Sequence, residues 1–426
     1  MKYFLIRCSA SICLLVSAAA FTRAEVSVPM NVIAEPNVMT DRMGGVDVPA
    51  AEVLKEMHGG QYVLRAAGGK LTKLPVEKVV LPHSDDMSPQ SAQVDLGPDG
   101  VVYVRESHIL CKSIDGGRTW TSQPVVEQPE GVNLGGRWKV LRDGTFISIG
   151  VTNGKDEHGP AIVWASHDEG QSWTKRAEIP IEMNLASGEP YNERYVHRGL
   201  DRLADDTLLW AVELRDGPLL ERMMKKPVQQ LKATATTMYF FRSTDGGHTW
   251  QGPILVNDWG SEGGAASLPS GRVFATLRYQ RPGMPGDPPD LEERNRSISK
   301  GWPWKHVFLM DSEDGGLSWS PPRQLTTVFG QTYGYPAAQS DGTVVVVHDT
   351  RYGPGPTGSR AMISRDEGQT WLDEVYYLDH TTWPGSYSAS VVFQDDTILT
   401  IAGSSQVAAV MTNTDMVAIR WKPVKD

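Results

Sequence analysis

The 426-residue sequence predicts an all-β fold, a six-bladed β-propeller with four-stranded antiparallel blades. Two internal repeats predict it, and composition agrees. One motif, Ser-x-Asp-x-Gly-x-(Ser/Thr)-Trp, occurs five times: SIDGGRTW from Ser113, SHDEGQSW from Ser166, STDGGHTW from Ser243, SEDGGLSW from Ser312 and SRDEGQTW from Ser364. A tight turn followed by a β-rich run occurs six times: Asp99-Gly100, Asp143-Gly144, Asp205-Asp206, Ser270-Gly271, Asp341-Gly342 and Asp395-Asp396. The 42 Gly and 13 Trp suit an all-β chain with many turns.

Each position of the first motif has a physical reason. The Ser hydroxyl and Asp carboxylate accept hydrogen bonds from backbone N–H groups across a turn. The Gly permits a positive φ that other residues resist. The Trp buries a large apolar face between neighbouring sheets, and its N–H needs an acceptor. The motif is therefore a structural clasp. The second repeat is a hairpin signal flanked by strand formers. Six hairpins, five of them followed by a clasp, imply six four-stranded units. Where a sixth clasp would fall there is only the degenerate stretch Thr412 to Trp421.

The clasps are spaced by 53, 77, 69 and 52 residues. The two long intervals carry insertions, from about Glu213 to Ala235 and from Arg281 to Trp304. Long inserts between regular strands are commonly functional loops on one face of the disc.

Residues 1–24 read as a secretory signal peptide. Lys2 and Arg7 precede an apolar run from Ile12 to Phe21, and Ala24 supplies a small residue for cleavage. The run is too short to span a bilayer, and no later segment has 18 apolar residues. A secreted or periplasmic protein is expected, with one domain over 25–426. Cys8 and Cys13 fall in the signal peptide, so the mature chain holds Cys111 and no disulfide. Removing Lys2, Arg7 and Arg23 takes the net charge from -10 to about -13. Such a chain is a poor general binder of nucleic acid or anionic membrane. No metal or organic cofactor is indicated, and a monomer is expected.

The clasp resembles the Asp-box, or bacterial neuraminidase repeat, and six-bladed propellers with several such boxes resemble sialidases over most of residues 80 to 422. The resemblance implies a Tyr nucleophile, a Glu that activates it, an Asp acid/base and three Arg that grip the substrate carboxylate. A neutral Tyr suits an anomeric carbon whose neighbouring carboxylate repels an anionic nucleophile. Tyr387-Ser388 stands at the family's Tyr-Ser position before SVVFQDDTILTI. Glu262 and Arg278, 16 apart around Ser270-Gly271, match the family's Glu and second Arg. Arg360 in GSRAMISRDEG and Arg351 in HDTRYG compete for the third Arg, Arg360 being preferred.

The sequence departs from that pattern in two places. Gln90 fills the first Arg slot, and the loop bearing the acid/base Asp is missing, with Asp85 and Asp86 near but out of place. Blade three instead offers Glu193, Arg194, His197, Arg198, Asp201 and Arg202 just before its inner hairpin; Arg198 is carried as a substrate-binding candidate. The expectation is a glycoside hydrolase acting on a glycan with a terminal acidic sugar. The rivals are a non-catalytic glycan-binding propeller and a propeller enzyme, lyase or hydrolase, of uronic-acid polysaccharides.

Overall fold

The computed structural model describes residues 56–425 except 58, 83–92, 107–108, 126–131, 153–159, 185–194, 216–235, 258–259, 282–303, 327–329, 351–357, 381–386 and 405–414, with a two-stranded pair at Arg42–Met43 and Val46–Asp47. The signal peptide, most of both insertions, Gln90, Asp85, Asp86, Glu193, Arg194 and Arg351 lie outside the described residues. Glu213 and Arg281, taken above as insertion boundaries, belong to strands, Leu208–Arg215 and Val273–Arg281.

Six antiparallel sheets form the blades. Their inner strands are Gln93–Leu96, Val132–Val140, Tyr195–Arg202, the pair Gly260–Ser261 and Ala265–Ser267, Gln331–Ala338 and Ala389–Val392, in blades I to VI. These strands neighbour one another in a closed ring around the axis, blade VI against blade I. Each of the six turns joins an inner strand to the next strand of its blade, as the hairpin signal predicts.

The clasps link the third strand of blades I to V to the outer edge. In each, the Gly N–H donates to the Ser Oγ, as Gly117 does to Ser113 and Gly247 to Ser243. Each Asp accepts from the backbone N–H and the hydroxyl of the residue before the Trp, Thr119, Ser172, Thr249, Ser318 and Thr370. The indoles of Trp120, Trp173 and Trp250 donate to a Gly carbonyl of their own turn. Those of Trp319 and Trp371 have no acceptor among the described residues. The Trp rings pack against apolar clusters that fill the seams between blades, Trp319 for example against the cluster that holds Leu209 and Phe240, its ring 5.2 Å from that of Phe240. A second set of links crosses four of the six seams: Arg176, Arg242, Arg323 and Arg420 donate to carbonyls of the next blade's clasp, at Gly246, Gly315, Gly368 and Gly116.

Blade VI has no clasp because its fourth strand does not follow its third. Glu77–Val80, from the N-terminal side, pairs with Asp415–Trp421 and completes the sheet. Two further N-terminal strands, Tyr62–Ala67 and Lys70–Pro75, extend blade V outward. Buried Lys78 pairs with buried Asp379 at 2.9 Å, and Ser404 Oγ donates to the same carboxylate. Trp421 fills the seam of blades V and VI, its ring 5.2 Å from that of Tyr376. Among the described residues no helix is long and apolar enough to cross a membrane.

Candidate active site

Turns and clasps occupy one face of the disc, because strand direction alternates along each blade. The upstream ends of the inner strands open on the other face, and there four blades converge. Glu262, Tyr333 and Tyr387 each stand nine residues before the second residue of their blade's turn, Gly271, Gly342 and Asp396. The equal offset in blades IV, V and VI puts three side chains at one level around the axis.

Local backbone aims them. Seven described non-glycine residues have positive φ; Asp99, Glu169, Asp206, Glu367 and Asp396 lie in turns or clasps, whereas Glu262 (φ 52°) lies in the break between the two inner segments of blade IV and Tyr333 (φ 54°) on the inner strand of blade V. Such a conformation costs roughly 1–3 kcal/mol and persists where surroundings enforce it. Enforcement comes from close approach of the next residue. A Cβ on Gly263 would stand 1.7 Å from the Thr276 carbonyl oxygen, and one on Gly334 2.6 Å from Val307 Cγ1. In blade III the ladder shifts register between His197 and Gly199, and Arg198 is the extra residue of that bulge.

The resulting group is tightly paired. Tyr387 Oη donates to Glu262 Oε1 at 3.1 Å. Arg278 Nη1 meets Glu262 Oε2 at 2.6 Å and donates to Tyr333 Oη at 2.9 Å. Arg198 Nη1 forms an ion pair with Glu262 Oε1, and its Nε bonds Glu213, a buried residue of the next strand. Arg198 Nη2 is buried and has no acceptor among the described residues. Burial alone would lower the Arg198 guanidinium, but Glu262 and Glu213 together hold it above its ordinary value. The Tyr333 ring stands edge-on to Tyr387, centroids 4.2 Å apart, and the Arg278 guanidinium lies 5.0 Å from the Tyr333 centroid.

The structure thus brings together Tyr387, Glu262, Arg278 and Arg198. Arg360 is placed differently. It is buried within blade V, its guanidinium 5.0 Å from the centroid of Tyr377, opposite His348 on the neighbouring strand. Burial lowers the Arg360 guanidinium, and burial with the Arg360 charge pushes His348 down to about 3. Its strand still touches the site: Ser359 and Ser388, the residue after Tyr387, share a hydrogen bond of 2.6 Å. The rest of the blade-three cluster is structural where it is described. The Trp210 indole donates to His197 Nδ1, Asp201 accepts from the Ala265 N–H, and Arg202 donates to Asp206 and to the Leu96 carbonyl.

Sequence reasoning passed over Tyr333 and Glu213. The nine-residue offset from the turn, shared with Glu262 and Tyr387, is the signal that finds Tyr333. Glu213, in a run of buried apolar residues, is marked by its charge alone. Beyond the site, a cavity of about 380 Å³ lies along the axis toward the turn face, with Asp95, Arg202, Ala265, Tyr335 and Val391 among its walls.

Comparison with solved structures agrees with the architecture. An α-L-arabinanase of Penicillium chrysogenum complexed with arabinobiose superposes with a TM-score of 0.53 at 15% identity, over 82% of this chain and 98% of that one. An α-L-arabinofuranosidase of Fusarium graminearum gives 0.52 at 17%, over 81% and 96%. A Hadza microbial sialidase gives 0.50 at 14%, over 83% and 69%. At these identities the likeness is one of fold alone, that of the six-bladed β-propeller. No family model and no curated protein matches the sequence.

Proposed function

We propose that the protein is a secreted glycosidase that removes a terminal acidic sugar from glycans, with Tyr387 as nucleophile and Glu262 as its base. The observation that carries this reading is the Tyr387–Glu262 hydrogen bond, held by two arginines at the mouth of a propeller. Attack forms a bond between Tyr387 Oη and the anomeric carbon while the phenolic proton passes to Glu262 Oε1. The glycosidic bond breaks, and its electron pair leaves with the aglycone oxygen. Water then attacks the anomeric carbon and the bond to Tyr387 Oη breaks; Glu262 returns its proton to the departing Tyr387 oxygen, and the proton lost by the water passes to solvent, where it balances the aglycone anion released in the first half. Arg198 Nη2 offers a desolvated donor for a substrate carboxylate oxygen, and Arg278 supplies further positive charge. Secretion rests on the N-terminal signal pattern.

The pairing of Arg198 and Arg278 with Glu262 and Glu213 favours a second reading, a neutral sugar as substrate. Two guanidinium groups already faced by two carboxylates leave little net charge for an anion. The arabinose-directed neighbours fit this reading, as analogy of fold only.

The test is release of 4-methylumbelliferone from its α-sialoside and, in parallel, its α-L-arabinofuranoside. This aglycone departs as an anion and needs no acid catalyst. Wild-type turnover of the sialoside, lost on the order of 10²–10⁴-fold in both Tyr387→Phe and Glu262→Ala, is the expected result. Turnover of the arabinofuranoside alone replaces the acidic sugar by a neutral one. A folded wild type inert on both overturns the glycosidase reading.

A further inference from the structure

The Tyr387–Glu262 couple needs two opposed properties of Glu262. Its carboxylate must be fixed in place, and it must stay basic enough to take a proton. Every blade around it bears on that balance. Arg278 approaches Oε2 from its own blade IV, Arg198 approaches Oε1 from blade III, Tyr387 donates to Oε1 from blade VI, and Tyr333 of blade V holds Arg278. Two cations beside one carboxylate fix it well. They also favour its charged form over its protonated one. A carboxylate facing two uncompensated cations would be a weak acceptor for a phenolic proton.

Glu213 answers that conflict. Its carboxylate bonds Arg198 Nε, on the edge of the guanidinium away from the Nη1 that meets Glu262. Both Arg198 and Glu213 are buried, so solvent screens little of this interaction. Glu213 comes from Leu208–Arg215, whose register sets it opposite Val196, two residues before Arg198. A charge buried on a strand otherwise rich in Leu, Trp, Ala and Val is costly unless it is paired, and this one is paired with the arginine of the site.

We infer that Glu213 is a positioning residue of the reaction: by sharing the Arg198 charge it keeps Glu262 clamped yet basic enough to accept the Tyr387 proton. The inference rests on the proposed Tyr387–Glu262 couple, and it requires no particular sugar. When Glu262 becomes protonated during attack, Arg198 keeps a counter-charge in Glu213, so the buried guanidinium is never left unpaired.

The test reads Tyr387 directly and needs no substrate. The phenol is titrated by ultraviolet difference, each protein measured against the same protein carrying Tyr387→Phe. Glu213→Gln releases the full Arg198 charge onto the couple, and the Tyr387 titration moves down by about one unit or more. Arg198→Gln removes that charge, and the titration moves up. The two changes together return it toward wild type. Where Glu213→Gln does not fold, Glu213→Asp, which withdraws the charge by one methylene, shifts the titration down by less. Shifts of one sign in both single variants, or none in either, overturn the inference. An activity readout then separates it from the glycosidase reading: in an active enzyme Glu213→Gln lowers kcat while the acid limb of the kcat profile moves to lower pH. Opposed titration shifts in an inactive protein would keep the electrostatic pairing and sink the glycosidase.

Discussion

Gly263 is where the fold and the site are joined most tightly, and Gly263→Ala tests that junction. An added Cβ would lie 1.7 Å from the Thr276 carbonyl oxygen, 2.5 Å from its carbonyl carbon and 2.9 Å from Leu277 Cα. All three are backbone atoms of the paired strand, which cannot swing aside as a flexible side chain would. Restoring an ordinary contact of about 3.5 Å requires a strand shift of roughly 1.5–2 Å. Overpacking of that kind costs about 1–3 kcal/mol, and more where the backbone cannot give. The shift falls on the residue next to Glu262, so the 3.1 Å bond to Tyr387 is lost. A displacement of about 1 Å is enough to lower turnover on the order of 10²-fold. Gly199→Ala is the control from the adjacent blade, because its Cβ meets nothing closer than 3.5 Å. Urea unfolding gives the stability term, and the Tyr387 titration or 4-methylumbelliferone release gives the site term. A Gly263→Ala protein with the wild-type unfolding midpoint and an unchanged site would refute the argument; so would a Gly199→Ala protein as damaged as Gly263→Ala.

Two further perturbations address the scaffold. The clasp carboxylates are held low: hydrogen bonds from Thr119 take Asp115 below the usual carboxylate range, and those from Ser172 bring Asp168 to about 2. At Asp245, Asp314 and Asp366 burial opposes this, yet bonds from Thr249, Ser318 and Thr370 still bring them to about 2. A folded value below the unfolded one stabilises the protein above the unfolded value of 3.8 and is lost as pH falls through the folded value. Urea midpoints are therefore expected to be insensitive to these groups above pH 4 and to fall from about pH 4 toward 2, less steeply in Asp245→Asn; an equal slope in that variant would count against the assignment. Lys78→Met leaves Asp379 buried without its cation and is expected to cost about 3–5 kcal/mol by urea unfolding, with much of the loss recovered in Lys78→Met/Asp379→Leu. A loss under 1 kcal/mol in the single variant would show that this pair does not hold the ring closed.

Blade number was legible because each blade repeats two local signals, a turn and a clasp, that need only short-range hydrogen bonds. The closing strand Glu77–Val80 was not, because it carries no turn and no clasp, and its partner lies across the whole sequence at Val417–Arg420. The missing sixth clasp was the trace it left. At the site, Tyr387, Glu262 and Arg278 could be found because their distances from a turn survive in the sequence. Arg198 stood out by charge density, yet its role depends on a bulge that no local pattern announces. Arg360 sits as sequence position suggested, in the strand before the last clasp, but strand alternation turns it into blade V beside Tyr377. Tyr333 was hidden by its type, a Tyr on a strand being ordinary in any β protein.

The closure of blade VI has a consequence for how the molecule comes into being. Its last ladder joins Glu77 to Arg420, so the three C-terminal strands of blade VI present an open edge until Glu77–Val80 docks on them. An unpaired edge next to an open seam is a template for pairing with other chains. Closing a loop of that length is entropically slow compared with forming any single hairpin. The segment Glu77–Val80 is therefore the latch of the ring: docked, it removes the one edge through which blade VI could pair with another chain.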